Sequence, residues 1–198
     1  MRYLSERHLG FDVQELGFPS IRGCQAIVYV TDAGLYGFHN FGGAAPEDWK
    51  DRGDAFGAFV DGLPRVGAGK AVYGVCFATS QRGYGTANVR QSWLSELAAF
   101  ASAVRFTGSI YGYDLDRSAV APPALVEFSR TPNHTCVIQI KAWNKAGATE
   151  KQVTNLAEHK TTYRPNTATP TSVRDLTATV IDTMPAGGYT TVYPEQLR

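Results

Sequence analysis

The sequence predicts an α/β (α+β) fold of the β-sandwich type, with two helices flanking the sheets. Short runs of β-branched and aromatic residues recur along the chain and are bounded by turn residues, which is typical of strands. Two longer stretches carry apolar residues at helical spacing. The chain has 198 residues, 43% of them hydrophobic, which is enough to bury one core, so we expect a single domain over residues 1–198.

The strand candidates begin after a leader at residues 1–22, which we expect to pack on the domain through apolar residues such as Leu16 and Phe18. The first two surround residues 31–34, whose aspartate and glycine favour the tight turn of a hairpin. The third is continuously apolar, as in a central strand, and in the sixth Cys136, Ile138 and Ile140 alternate with polar residues. In order, the candidates are residues 25–30, 35–41, 71–78, 109–115, 125–129 and 135–143, and, beyond a polar connection at 161–172, residues 178–183 and 189–193.

Two helices are predicted between these strands. Pro46 suits the first turn of the first helix, and the acidic residues that follow it suit the positive end of the helix dipole. Gly62 ends this helix. Thr86 or Asn88 caps the second helix, which has a wide apolar face. That face carries Val89, Trp93, Leu97, Phe100, Ala101 and Val104.

The composition argues against several classes of partner. The formal net charge is +1 and no basic block is interleaved with aromatic residues, so we expect neither nucleic acid nor a membrane as a partner. The cysteines Cys24, Cys76 and Cys136 have no metal-ligand spacing, so we expect no metal and no cofactor. The N-terminus is charged and lacks an apolar segment, which predicts synthesis in the cytoplasm without a signal peptide.

Cys24 and His39 are the residues best suited to chemistry. Gly23 leaves the sulfur unshielded, and the predicted strands would hold the thiol and the imidazole rigidly. Pairing with a histidine can lower a thiol pKa to roughly 3.5 to 7.5, so we expect Cys24 to be a thiolate that is alkylated faster than the structural Cys76 and Cys136. The backbone N–H of Cys24, next to Gly23, could hold an oxyanion.

The predicted hairpin puts the thiol and the imidazole on one face but far apart. If Ala33 and Gly34 are the turn residues, Cys24 lies opposite Gly43, which is four positions from His39. That offset corresponds to about 13 Å along a strand. A bulge or a different turn is therefore needed to bring the two groups together.

The segment around these residues resembles a known family. The pattern is Gly23-Cys24-x-x-Ile27-Val28, followed by Asp32-x-Gly34-Leu35-Tyr36 and His39. It is similar to the catalytic segment of the bacterial glutamine deamidases: cytotoxic necrotizing factor catalytic domains, lethal-factor toxins and the chemoreceptor deamidase CheD. The resemblance covers residues 20–42 and implies a CheD-like or necrotizing-factor-like fold, with Cys24 as the nucleophile and His39 as its base.

The resemblance also implies a partner and a third catalytic element. The partner would be a protein substrate that bears a target glutamine, and the protein would be a bacterial toxin or effector delivered into a target cell. CheD and the lethal-factor toxins have a threonine six positions before the cysteine, where this chain has Phe18. Ser20, or a main-chain carbonyl as in the necrotizing factors, would then orient His39.

Two alternatives remain open from the sequence. Cleavage before Cys24 would give an N-terminal-nucleophile amidohydrolase, in which the free α-amino group acts as the base. The chain could instead be a non-catalytic, β-rich binding or immunity protein, in which Cys24 and His39 are packing residues. The mass of the intact protein separates the first alternative from the deamidase, and thiol reactivity separates the second.

Overall fold

Two β-sheets lie face to face, and two helices cover the outer face of the larger sheet. The computed structural model describes residues 2–42, 45–63, 67–143, 159–163 and 188–198. Each sheet buries one face against the other, and the larger sheet buries its second face against the helices. The arrangement is an α+β sandwich, which confirms the predicted fold class.

The described residues contain twelve strands, two α-helices and one short 3₁₀ helix (Leu115–Arg117). The strands are β1 (Arg2–Tyr3), β2 (His8–Asp12), β3 (Glu15–Ile21), β4 (Gln25–Thr31), β5 (Leu35–Asn40), β6 (Gly69–Cys76), β7 (Ile110–Asp114), β8 (Ala124–Arg130), β9 (Cys136–Ala142), β10 (His159–Thr162), β11 (Thr190–Val192) and β12 (Glu195–Gln196). The helices are α1 (Pro46–Asp61) and α2 (Val89–Ala103).

The larger sheet has the strand order β10-β2-β5-β4-β6-β7-β12, and the smaller sheet has the order β1-β3-β8-β9-β11. Within the larger sheet, β6 and β7 are parallel and are joined through α2, because a parallel pair requires a crossover connection. Strand β4 is antiparallel to β6. The first residues of β4 therefore lie at the edge of the sheet where β6 and β7 end.

Strand β4 is buried on both of its faces. Ala26 and Val28 belong to the core between the sheets, whereas Ile27 and Tyr29 belong to the core between the larger sheet and the helices. This alternation between two cores explains why the strand reads as an unbroken apolar run in the sequence. It also fixes the side of the sheet to which Cys24 points, because Cys24 belongs to the core between the sheets.

The predicted elements between residues 25 and 143 are confirmed, with strand ends that differ by one or two residues. The strand candidate at 189–193 is confirmed as β11, and the candidate at 178–183 lies outside the described residues. Thr161 and Thr162, predicted to begin a polar connection, instead end β10, and 164–172 lies outside the described residues.

The predicted leader is the main correction to the fold. Residues 2–21 form β1 and β3 in the smaller sheet and β2 in the larger sheet. Leu16, Phe18 and Ile21 are fully buried between the sheets. The sequence does not predict β3, because Pro19 interrupts its pattern. In the structure, the register of β3 with β8 shifts between Phe18 and Ile21.

Candidate functional site

The hairpin of β4 and β5 brings Cys24 and His39 closer together than the sequence predicted. The turn residues are 32–33 rather than 33–34, which puts Ala26 opposite His39. Cys24 is two positions from Ala26 on the same face. The thiol and the imidazole therefore belong to diagonal neighbours, a relation in which Cα atoms are about 7–8 Å apart. The predicted offset of four residues is wrong.

His39 is buried and held in one tautomer. Its Nδ1 lies 2.8 Å from the carbonyl oxygen of Leu4, and because a carbonyl can only accept, Nδ1 carries the proton and donates. Nε2 is buried and has no hydrogen-bond partner in the structure. Burial lowers the pKa of His39 to about 4, more than the Leu4 hydrogen bond raises it. At neutral pH the ring is therefore a neutral imidazole with a free lone pair on Nε2.

The Cys24 thiol is protonated at rest. It is 8% exposed, and burial, followed by the charge of Glu6, raises its pKa to about 12. The charge of Arg82 and backbone hydrogen bonds from Gly42 and Arg22 favour the thiolate but do not outweigh burial. In the described part of the chain no hydrogen bond joins Cys24 to His39. The expectation of a thiolate with a lowered pKa is therefore wrong, because the sequence does not reveal how deeply the thiol is buried.

The group that orients His39 is the carbonyl of Leu4, in the connection between β1 and β2. Of the two possibilities that the sequence left open, this is the main-chain carbonyl rather than the side chain of Ser20. Ser20 lies in the irregular part of β3 with a φ of 64°, a left-handed conformation that is strained for a serine. The ring of Phe18, from the same strand, lies 6.1 Å from the His39 ring and covers it from the smaller sheet.

A buried ion pair lies behind Cys24, on the side of the sheet that the helices cover. Arg82, in the connection from β6 to α2, pairs with Glu96 of α2, and both side chains are almost completely buried. The carboxylate of Glu96 also accepts a hydrogen bond from the Tyr84 hydroxyl at 2.6 Å and another from the Asn40 side-chain amide at 2.7 Å. The remaining donor of Arg82, Nη1, binds the carbonyls of Gly23 at 3.0 Å and Phe41 at 2.7 Å.

Sequence reasoning did not find this ion pair, although one signal was present. Glu96 falls on the apolar face of α2, three residues after Trp93 and four before Phe100. A carboxylate at such a position requires a buried partner, because an unpaired charge is very costly to bury. The position predicts that a cation exists but does not identify it, since Arg82 comes from a loop.

The loop after β6 is fixed by two aspartates of the neighbouring strand end. Asp114 accepts hydrogen bonds from the Ala78 N–H at 2.9 Å and from Thr79 Oγ1 at 2.7 Å. Asp116 accepts from the backbone N–H groups of Thr79 and Ser80 at 3.0 and 2.9 Å. These contacts hold the loop against the edge of the sheet at which Cys24 lies.

Burial also raises the pKa of the other two cysteines. Cys76 is completely buried, and burial raises its pKa well above the ordinary value. Cys136 is half-buried, and burial raises its pKa to about 12. All three cysteines are free thiols.

The comparisons with known proteins identify no relative. The described residues contain no helix long and apolar enough to cross a membrane, and they contain no cluster of three or more histidine, cysteine, aspartate or glutamate residues that could hold a metal ion. No protein-family model, curated protein or solved structure matches the chain.

Proposed function

We propose that the protein is a cysteine-dependent protein-glutamine amidohydrolase, with Cys24 as the nucleophile and His39 as the general base. One observation carries the proposal: the hairpin makes the two residues diagonal neighbours on one face, with Nδ1 of His39 bound to Leu4 and Nε2 unpaired. A neutral imidazole with a free nitrogen is the form that a general base must have.

The position of the pair in the fold also supports the proposal. Ligands of α/β sheets bind beyond the carboxyl ends of parallel strands, and Cys24 lies at the edge where β6 and β7 end. The loop after β6 borders this edge closely, since a Cβ added to Gly23 would lie 3.5 Å from the carbonyl oxygen of Gln81.

The proposed reaction passes through a thioester. The Sγ atom of Cys24 attacks the amide carbon of a glutamine side chain, and the thiol proton passes to Nε2 of His39. The carbon–nitrogen bond breaks, and His39 gives its proton to the departing nitrogen, so ammonia leaves. Water then attacks the thioester and gives a proton to the same Nε2. The carbon–sulfur bond breaks, the side chain leaves as glutamate, and Nε2 returns the proton to the sulfur, which restores the thiol and the neutral imidazole. Water is the only co-reactant, so no cofactor takes part.

The protonation states determine when the nucleophile forms. Because the resting pair is a neutral thiol and a neutral imidazole, the thiolate arises only as the sulfur attacks. Stabilisation of the developing charge is therefore the main task of the site. In this proposal the backbone N–H of Cys24, beside Gly23, donates to the oxyanion of the tetrahedral intermediate.

The choice of substrate rests on the resemblance of residues 20–42 to the glutamine deamidases and on the burial of the sulfur. Only 8% of Cys24 is exposed, so a long, slender side chain on an accessible segment is better suited to reach it than a flat protein surface. A protein glutamine meets this requirement. A bacterial toxin or effector that acts on a partner protein is the biological role that we propose for this activity.

We expect the active protein to retain residues 1–23. Their removal would delete β1, β2 and β3, including the Leu4 carbonyl that orients His39 and the fully buried Leu16 and Phe18. This argues against the N-terminal-nucleophile alternative, which requires cleavage before Cys24. The mass of the intact, purified, active protein is the measurement. An active species that begins at Cys24 would identify the α-amino group as the base and remove that role from His39.

The activity itself is tested with Cys24→Ala. We expect wild-type protein, incubated with bacterial and eukaryotic cell lysates in water labelled with heavy oxygen, to convert a defined glutamine to a glutamate that contains the label. Peptide mass spectrometry detects the change, which is about 1 Da before the label is counted. Cys24→Ala removes the nucleophile and should abolish the conversion.

Cys136→Ala is the matched control, because Cys136 is also a free thiol whose pKa burial raises to about 12. It should retain full activity. Labelled glutamate that forms equally with Cys24→Ala, or no conversion in any lysate with the wild-type protein, would contradict the proposal and favour the reading in which Cys24 and His39 are packing residues.

A further inference from the structure

Arg82 binds the backbone next to Cys24 on both chains of the hairpin. Its Nη1 donates to the carbonyl of Gly23, the residue before Cys24, and to the carbonyl of Phe41. The pairing of β4 with β5 ends at Gln25 and Asn40, so Cys24 and Phe41 are the next residues outward along the two chains. One nitrogen of Arg82 therefore binds the two strands of the hairpin at the end where the thiol lies.

The contact with Gly23 determines the orientation of the next residue. In a trans peptide the carbonyl and the following N–H point in opposite directions. A Gly23 carbonyl turned towards Arg82 therefore turns the N–H of Cys24 away from Arg82.

Arg82 is itself fixed by contacts that leave it little freedom. Its Nε lies 3.3 Å from Oε2 of Glu96, and its Nη2 contacts Oε1 of the same carboxylate. The planar guanidinium thus presents one edge to a carboxylate and another nitrogen to two carbonyls, which an ammonium on a flexible stem cannot reproduce. Its positive charge also favours the thiolate form of Cys24.

We propose that Arg82 is a positioning residue of the Cys24 site, which holds the Gly23–Cys24 peptide and supplies the buried positive charge behind the sulfur. The proposal rests on the proposed function, in which Cys24 is the nucleophile. Arg82 does not contact the reacting atoms, so it acts through the peptide that it binds and through its charge.

Arg52 is the matched control for this role. It is a buried arginine of the same network, and it donates to Oδ1 of Asn40 and to the carbonyl of Phe41, both at 2.9 Å. Within the described residues it makes no hydrogen bond to Gly23, and its guanidinium lies 3.6 Å from the centre of the Phe41 ring. A comparison of the two arginines therefore separates the contact with the Gly23 peptide from the general effect of removing a buried cation.

The experiment measures the alkylation of Cys24 by iodoacetamide at about pH 8.5, with Cys136 of the same molecule as the internal reference. We expect Arg82→Gln to lower the rate at Cys24 about tenfold, the effect of raising the thiol pKa by about one unit. Arg52→Gln should leave the rate within about twofold of wild type. A structural loosening would instead expose the sulfur and raise the rate, so the direction of the change is diagnostic.

Activity gives a second readout. With the glutamine substrate, Arg82→Gln should lower kcat by about 10²-fold with little change in KM, because a misplaced nucleophile affects the reaction more than binding. Arg82→Lys, which keeps the charge without the planar fork, should restore part of kcat. Equal effects of Arg82→Gln and Arg52→Gln on both alkylation and kcat would overturn the proposal.

The alkylation measurement needs no substrate, so it still tests the position of Cys24 if the deamidase activity is not found. If Arg82→Gln fails to fold, Arg82→Lys and Arg52→Lys make the same comparison with each buried charge retained. In that pair, Cys24 alkylation changed only by Arg82→Lys supports the proposal, because an ammonium cannot keep both the Glu96 pair and the contact with the Gly23 carbonyl. Equal alkylation in the two variants overturns it.

Discussion

We expect His39→Asn to lower kcat/KM for glutamine deamidation by about 10²–10⁴-fold, the usual cost of losing a general base. The side-chain amide of asparagine can replace Nδ1 as the donor to the Leu4 carbonyl, which His39 approaches to 2.8 Å. Asparagine has no atom that corresponds to the unpaired Nε2 of His39. The variant therefore removes the base while it keeps the hydrogen bond that the fold uses.

His134→Asn is the control for this substitution. The side chain of His134 is 38% exposed, and its φ of 56° is a backbone conformation that asparagine adopts readily, so the change should leave both fold and activity unaltered. Substrate conversion by each variant, followed by mass spectrometry, gives the comparison. Full activity in His39→Asn would show that the base lies elsewhere and that the diagonal arrangement with Cys24 has no role in catalysis.

The same variant tests the protonation state of His39. Its pKa falls from 6.5 to about 4 in the folded protein because of burial, so between these values the unfolded chain binds a proton that the folded chain does not. Wild type should therefore lose about 3 kcal/mol of unfolding free energy from this residue as the pH falls through that interval. His39→Asn should lose correspondingly less, as measured by urea unfolding at both ends of the interval.

The sequence predicted the hairpin but not its register, and the reason is local. The hydroxyl of Thr31 accepts the N–H groups of Ala33 and Gly34 at 3.1 and 3.2 Å, and the Thr31 N–H donates to the Gly34 carbonyl at 2.9 Å. Gly34 therefore lies after the turn rather than within it, as the aspartate and glycine pattern had suggested. A threonine before a turn can satisfy the backbone in this way, and here it moves the pairing by two residues.

The protonation states of the site could not be predicted, because they depend on contacts between distant parts of the chain. The Leu4 carbonyl, the Phe18 ring and the loop that carries Arg82 all reach the Cys24 and His39 hairpin from outside it. Periodicity predicts which face of a strand is buried, but not how completely or against which charges. The sequence therefore indicated two candidate residues correctly placed on one face, and misjudged the pKa of the thiol.

We expect Glu96→Ala to lower the free energy of unfolding by about 3–5 kcal/mol, because it leaves the buried Arg82 without its counter-charge. Glu96 is completely buried, and its carboxylate accepts hydrogen bonds from Tyr84 and Asn40 as well as from Arg82. Truncation therefore leaves several buried donors unpaired in addition to the cation. The midpoint and slope of urea unfolding measure the loss.

Asp61→Ala provides the contrast that isolates burial. Asp61 pairs with Arg105 at 2.8 Å, but the two side chains are 45% and 75% exposed, so water replaces the lost partner and the expected cost is about 0–1 kcal/mol. Glu96→Gln should fall between the two, since it keeps hydrogen bonds to the network but not the charge. If Glu96→Ala and Asp61→Ala cost the same, the buried pair does not hold the loop of Arg82 in place. The backbone at Gly23 and Cys24 would then be fixed by the sheet alone.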